Sequence, residues 1–143
     1  MGLFDALDAS GSALSAERVR MDVTAENLAN AQSTRTANGQ GPYRRKEVVM
    51  QEAAAGVGPS FAASLQAARG VKVAGIVQDP TPSRRVYDPG HPDADAQGYV
   101  LMPNVNTVTE MTDLIGASRA YEANVTAMQT TKSMFARTLD ILK

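Results

Sequence analysis

Helix-breaking residues are confined to the middle of this 143-residue chain. All seven prolines lie between Pro42 and Pro103, and eight of the eleven glycines lie between Gly39 and Gly98. Because proline and glycine interrupt helices, only the two ends of the chain are free to form long ones. We therefore predict an α+β fold, with long N- and C-terminal helices forming a coiled-coil hairpin and a small β-rich central module.

The N-terminal segment has an apolar residue at every seventh position: Leu7, Leu14, Met21 and Leu28. This spacing places the side chains in one narrow line along a helix, as in a coiled coil. A helix is predicted from about residue 3 to 31, with its weakest point in the Ser-Gly-Ser sequence centred on Gly11.

In the C-terminal segment, apolar residues alternate at spacings of three and four, which predicts one long amphipathic helix. Asn104 or Asn106 is its predicted N-cap, and Glu110 lies early, where the helix dipole favours an anion. Two stripes of this length exceed what one small hairpin can hide, so they should also contact neighbouring subunits. The predicted assembly seam comprises Leu7, Leu14, Met21, Leu28, Met111, Leu114, Tyr121, Val125, Met128, Phe135, Leu139 and Leu142.

The central segment has short stretches rich in β-branched residues and bounded by glycine and proline, as strands are. Residues 43–50 and 71–78 are predicted strands, and 84–87 form a third, shorter one. Residues 53–70 are rich in small residues and are interpreted as a loop or a short helix. The predicted domains are 1–34 together with 104–143, which hold the terminal helices, and 35–103, the central module.

The charge balance argues against a nucleic-acid partner. Lysine and arginine number 14 and acidic residues 15, which leaves a formal net charge of -1. Such a chain has no strong positive field, and the basic runs Arg44-Arg45-Lys46 and Arg84-Arg85 would alternate between the faces of a strand. A solvated sheet or a charged face toward another subunit is the favoured interpretation of both runs.

Neither a secretory signal nor membrane insertion is expected. The N-terminus carries Asp5 and Asp8 where a signal peptide would be apolar, and no apolar run approaches the roughly 20 residues that span a bilayer. Synthesis in the cytoplasm is therefore predicted. The chain has no cysteine, which excludes disulfides and thiolate sites and gives no information about the redox compartment.

His91 is the only histidine and lies between Pro89 and Pro92, near several aspartates. A zinc site usually needs three or four protein ligands, and the chain has no second histidine and no cysteine. The sequence also lacks a serine or cysteine motif that would form a nucleophile triad with His91. A rigid turn is therefore the favoured interpretation, with Gly90 predicted to have a positive φ. No catalytic residue, metal ligand or cofactor is predicted, and we do not expect an enzyme.

The sequence around the end of the first helix resembles that of the flagellar axial proteins, the rod and hook family. The resemblance rests on Asn27, Leu28, Ala29 and Asn30, which form an Asn-Leu-Ala-Asn stretch, and on the nearby Thr34. This motif is common to rod and hook proteins in general.

Further stretches resemble the proximal rod proteins within that family. They are Gly-Pro-Tyr-Arg-Arg-Lys at 41–46, Val-Tyr-Asp-Pro-Gly-His-Pro at 86–92, Gly-Tyr-Val-Leu-Met-Pro-Asn-Val-Asn at 98–106 and Ala-Ser-Arg-Ala-Tyr-Glu-Ala-Asn at 117–124. Together with the first motif they span most of the chain and leave only about residues 53–70 unmatched.

This resemblance implies a structural subunit of the proximal rod, the drive shaft that transmits torque across the periplasm. It also implies export by the flagellar type III apparatus without a cleaved signal, an inner layer built from the terminal helices, and an outer central module. The implied partners are other copies of the chain, other proximal and neighbouring distal rod subunits, and the basal-body export-gate adaptor.

The residues alone leave an alternative function open. A soluble helical adaptor could use the same apolar stripes to bind a partner by placing a helix in a groove. Electron microscopy separates the two functions, because a rod subunit belongs to a tube and an adaptor forms a discrete complex.

Overall fold

The computed structural model describes residues 3–36, 41–54 and 68–141. In this part of the chain the elements are α1 (Leu3–Ala29), β1 (Lys46–Ala54), β2 (Ala68–Gln78), β3 (Arg84–Tyr87), β4 (Tyr99–Met102) and α2 (Thr107–Ile141). The predicted α+β class with helices at both ends is confirmed. None of the helices in these described ranges is long and apolar enough to cross a membrane.

The two helices pack against each other in antiparallel orientation. The end of α1 meets the start of α2, where Asn27 bonds to Glu110, and Gly11 lies beside Met128 farther along the pair. The helix α1 continues through its Ser-Gly-Ser sequence without interruption. Asn106 is the N-cap of α2, since its Oδ1 accepts hydrogen bonds from the backbone N–H groups of Val108 (3.0 Å) and Thr109 (3.4 Å).

The strands β1 and β2 form an antiparallel hairpin that lies along α1. Lys46, at the start of β1, bonds to Asn27 near the end of the helix. At the other end of the hairpin, the N–H of Val71 donates to Ser12 Oγ at 3.1 Å. The helix α1 is therefore covered on one side by α2 and on another by the hairpin.

The strands β3 and β4 form a second antiparallel hairpin, with Arg85 opposite Leu101 and Tyr87 opposite Tyr99. The predicted strand at 84–87 is confirmed, whereas β4 was not predicted. The first strand runs from Lys46 to Ala54 instead of 43–50, and the second begins at Ala68 instead of residue 71 but ends at Gln78 as predicted. Of the predicted loop at 53–70, residues 53–54 and 68–70 belong to strands, and 55–67 lie outside the described residues.

The prediction of a positive φ at Gly90 is wrong. Among the described residues, only Gly41, Gly70 and Gly98 have positive φ. Gly90 instead lies in a turn in which its N–H donates to Asp88 Oδ1 at 3.2 Å. The left-handed position is needed at Gly98, which closes the β3–β4 connection and whose carbonyl accepts from the N–H of Asp88 at 2.9 Å.

Gly70 is required where β2 approaches α1 most closely. Its φ is +117°, and a Cβ there would lie 2.2 Å from Ser12 Oγ. We expect Gly70→Ala to lower the free energy of unfolding by about 2 kcal/mol or more, because strain and a clash add together. Chemical denaturation measures this change. Gly75→Ala, in the same strand but in open space, is the matched control, and equal losses from both would contradict the explanation.

A polar junction and the helical seam as candidate functional sites

The side chain of Asn27 is 1% exposed and uses its full hydrogen-bonding capacity. Its Nδ2 donates to the Lys46 carbonyl (2.8 Å) and to Glu110 Oε2 (2.9 Å). Its Oδ1 accepts from the Tyr43 hydroxyl (2.9 Å) and from the Lys46 N–H (2.9 Å). This single amide therefore joins α1, the start of β1 and α2.

Glu110 is a buried carboxylate whose charge is neutralised by Arg45. It is 1% exposed, and its Oε1 accepts from Arg45 Nε at 2.6 Å. The same guanidinium is ion-paired with Glu47 and lies 3.8 Å from Asp79 Oδ2 and 3.7 Å from Asp113 Oδ2. Burial lowers the pKa of Arg45, but its hydrogen bonds to Glu110 and Glu47 outweigh that effect and raise the pKa above its ordinary value.

Tyr43 and Asn104 complete this cluster. Burial, together with the charges of Glu26 and Glu110, raises the pKa of Tyr43 to about 12. Asn104 Oδ1 accepts from the Arg45 N–H at 2.8 Å, and its Nδ2 donates to the Thr81 carbonyl at 3.1 Å. We call the five residues the polar junction: Asn27, Tyr43, Arg45, Asn104 and Glu110.

The basic run at 44–46 is divided, but only Lys46 belongs to β1, so alternation along a strand is not the cause. Arg44 is exposed, Arg45 lies inside the polar junction, and Lys46 is ion-paired with Glu26 and lies 5.7 Å from the centre of the Tyr43 ring. Arg45 thus differs from the predicted solvated or subunit-facing role, because a buried carboxylate on another element requires its charge.

The family motif also contacts the β3–β4 connection. It consists of Asn27, Leu28, Ala29, Asn30 and Thr34. Thr34 Oγ1 donates to Asp93 Oδ2 at 2.6 Å, and this hydrogen bond lowers the pKa of Asp93. Asn30 Nδ2 donates to the Glu26 carbonyl at 2.9 Å, while Leu28 is half-buried and Ala29 is exposed. The motif therefore fixes both the end of α1 and the segment that follows it.

His91 lies in a turn, as the sequence predicted. Its Nδ1 accepts from the Asp93 N–H at 3.1 Å, and its own N–H donates to the Asp88 carbonyl at 3.3 Å. Among the residues that the structure describes, no group of three or more histidine, aspartate or glutamate side chains is placed to hold a metal ion.

The residues of the predicted seam remain partly accessible in the single chain. Met111 is 52% exposed and Leu139 48% exposed, and Phe135 is also exposed. Leu142 lies outside the described residues. The half-buried members are Leu7, Leu14, Met21, Leu28, Leu114, Tyr121, Val125 and Met128.

Among the described side chains of α1, the buried positions are different ones, namely Ala16, Val23, Thr24 and Asn27. They are buried because α1 is covered by both α2 and the β1–β2 hairpin, so its most enclosed side lies away from the seven-residue line. Sequence reasoning did not identify the polar junction. The spacing places Glu110 four residues before Leu114, on the same side of α2, but it does not indicate which distant residues Glu110 meets.

Comparison with known proteins identifies the family. Residues 7–35 match the profile described as flagella basal body rod protein, and residues 96–141 match that of the flagellar basal body rod FlgEFG protein C-terminal region. The chain is 49% identical to the flagellar basal-body rod protein FlgC of Yersinia enterocolitica, over 99% of this chain and 98% of the relative. It is 47% identical to FlgC of Bacillus subtilis over the full length of both. The chain therefore belongs to the FlgC family of flagellar basal-body rod proteins.

Proposed function

We propose that this chain is a structural subunit of the flagellar basal-body rod and that it polymerises through its terminal helices. Family membership supports the rod, and the accessible seam supports the mode of assembly. The observation that carries the proposal is that α1 and α2 are already paired, yet seam residues such as Met111 and Leu139 remain about half exposed.

This arrangement suits a polymer better than a closed dimer. A heterologous contact whose rotation does not close generates a helical filament, and long apolar stripes provide a surface for it. In this proposal the seam residues pair as a coiled coil within one subunit and pack against other subunits around the rod axis. The β-containing central part then lies outside the helical layer.

The finer assignments come from the resemblance to proximal rod proteins. They are a place in the proximal rod, transmission of torque across the periplasm, and export by the flagellar type III apparatus. The proposed partners are further copies of the chain, other rod subunits and the export-gate adaptor. A non-enzymatic role agrees with His91, whose ring accepts a backbone hydrogen bond in its turn.

Aspartate substitutions in the seam test the proposal. We expect Leu139→Asp and Val125→Asp to prevent rod assembly, since an unpaired carboxylate in a packed seam costs about 2 kcal/mol or more. Leu139 is 48% exposed in the single chain, so its substitution should leave the folded subunit and its export intact. Electron microscopy of isolated basal bodies and a swimming assay measure the outcome.

Thr126→Asp is the matched control, because Thr126 is an exposed neighbour of Val125 outside the seam. This variant should assemble and swim normally. Normal rods from Leu139→Asp and Val125→Asp would contradict assembly through the seam, and a discrete complex instead of a tube would favour an adaptor.

A further inference from the structure

The second hairpin exposes one apolar and aromatic face. Alternate residues of the paired strands point outward, while Val100 between them is buried. The two tyrosine rings meet edge to face with centres 5.3 Å apart, and the Arg85 guanidinium lies 4.7 Å from the centre of the Tyr99 ring. We call this the tyrosine face: Arg85, Tyr87, Tyr99 and Leu101.

The first turns of α2 expose a second apolar surface, which we call the outer stripe. It consists of Val108, Met111 and Ile115, which are 71%, 52% and 55% exposed. Their spacing of three and then four residues aligns them on one side of the helix, about a third of a turn from the side that faces α1. Farther along, the outer side carries the exposed Arg119 and Glu122.

Neither surface covers the other within one chain. Among the described elements, α2 contacts α1, and β3 and β4 contact each other but not α2. Only four residues separate β4 from α2, and within them Pro103 is buried and Asn104 is held by the polar junction. The β3–β4 hairpin therefore does not fold back over α2, and both surfaces remain accessible to another molecule.

We propose that the tyrosine face of one copy packs on the outer stripe of the next copy. This inference rests on the proposed rod function, because a contact between two different surfaces of the same chain extends into a filament when its rotation does not close. Tyrosine and arginine are typical of the residues that contribute most at interfaces, and methionine adapts its shape to an aromatic partner. Arg85 is ion-paired with Asp95 at 3.3 Å but remains 56% exposed in its side chain, so in this contact it can also meet Glu122 at the end of the stripe.

Cysteine cross-linking tests the contact, and the chain offers a clean background because it has no cysteine of its own. Basal bodies assembled from a Leu101→Cys, Ile115→Cys double variant are treated with a short bismaleimide cross-linker. We expect a ladder of cross-linked copies in denaturing gels. Each single variant should remain monomeric, because the two surfaces differ.

The control is a Leu101→Cys, Gln129→Cys variant. Gln129 is exposed on the same side of α2, about 20 Å beyond Ile115, and should give no ladder. A Tyr87→Cys, Val108→Cys pair provides the same test if the first pair is not incorporated into rods.

The outcomes separate this contact from the proposed function. Dimers from Leu101→Cys alone would overturn the inference in favour of two tyrosine faces meeting each other. A cross-link to a different rod protein, or no cross-link in rods that contain the chain, would overturn it while leaving the rod role intact. Absence of the unsubstituted chain from isolated rods would contradict the proposed function itself.

Discussion

Replacing Arg45 with methionine is expected to lower the free energy of unfolding by about 3 to 5 kcal/mol. The methionine keeps most of the side-chain volume, but it leaves Glu110 charged, 1% exposed and without its cation. Glu47 and Asp79 then also lose the guanidinium of Arg45, the cation that they share with Glu110. Urea denaturation followed by circular dichroism measures the loss.

Two further variants show whether the buried charge is the cause. Arg44→Met, at the exposed neighbouring position, should change stability by less than about 0.5 kcal/mol. Adding Glu110→Gln to Arg45→Met should recover a large part of the loss, because removing both charges leaves no unpaired ion. A double variant as unstable as Arg45→Met would show that the effect comes from packing and not from charge.

Asn27→Ala is expected to cost about 3 kcal/mol or more, because it removes four hydrogen bonds at once. The backbone N–H and carbonyl of Lys46, the Tyr43 hydroxyl and one oxygen of Glu110 would each lose a partner in a buried site. The same denaturation experiment gives the size of the effect.

Asn30, in the same motif, provides the control. Its side chain bonds to the Glu26 carbonyl and to the Ser33 hydroxyl in a more accessible position, so Asn30→Ala should cost less than about 1 kcal/mol. If the two alanine variants were equally stable, the distinction between the two asparagines would be wrong.

The parts of the fold that depend on local sequence were predictable. The distribution of proline and glycine located both helices, Asn106 was one of two candidate N-caps for α2, and β-branched residues located three of the four described strands. These signals act over a few residues, so they can be read without knowing the tertiary structure.

The polar junction could not be predicted in this way, because its partners are distant in sequence. Asn27 and Glu110 are 83 residues apart, and Arg45 is 65 residues from Glu110. The sequence does not distinguish a buried glutamate from a solvated one until the packing of α1 on α2 is known. The strand β4 was not predicted, although Tyr99 and Val100 are of residue types that favour strands; its pairing with β3 is visible only in the folded structure.

The distance along the chain between Asn27 and Glu110 also sets the order in which the molecule can fold. A chain that emerges N-terminus first, from a ribosome or from a secretion channel, delivers Glu110 83 residues after Asn27. Until then α1 lacks its partner helix α2, and closing so long a loop is slow. The β1–β2 hairpin can form against α1 sooner, because its strands are nearer in sequence. The subunit can therefore complete its fold only after α2 has emerged.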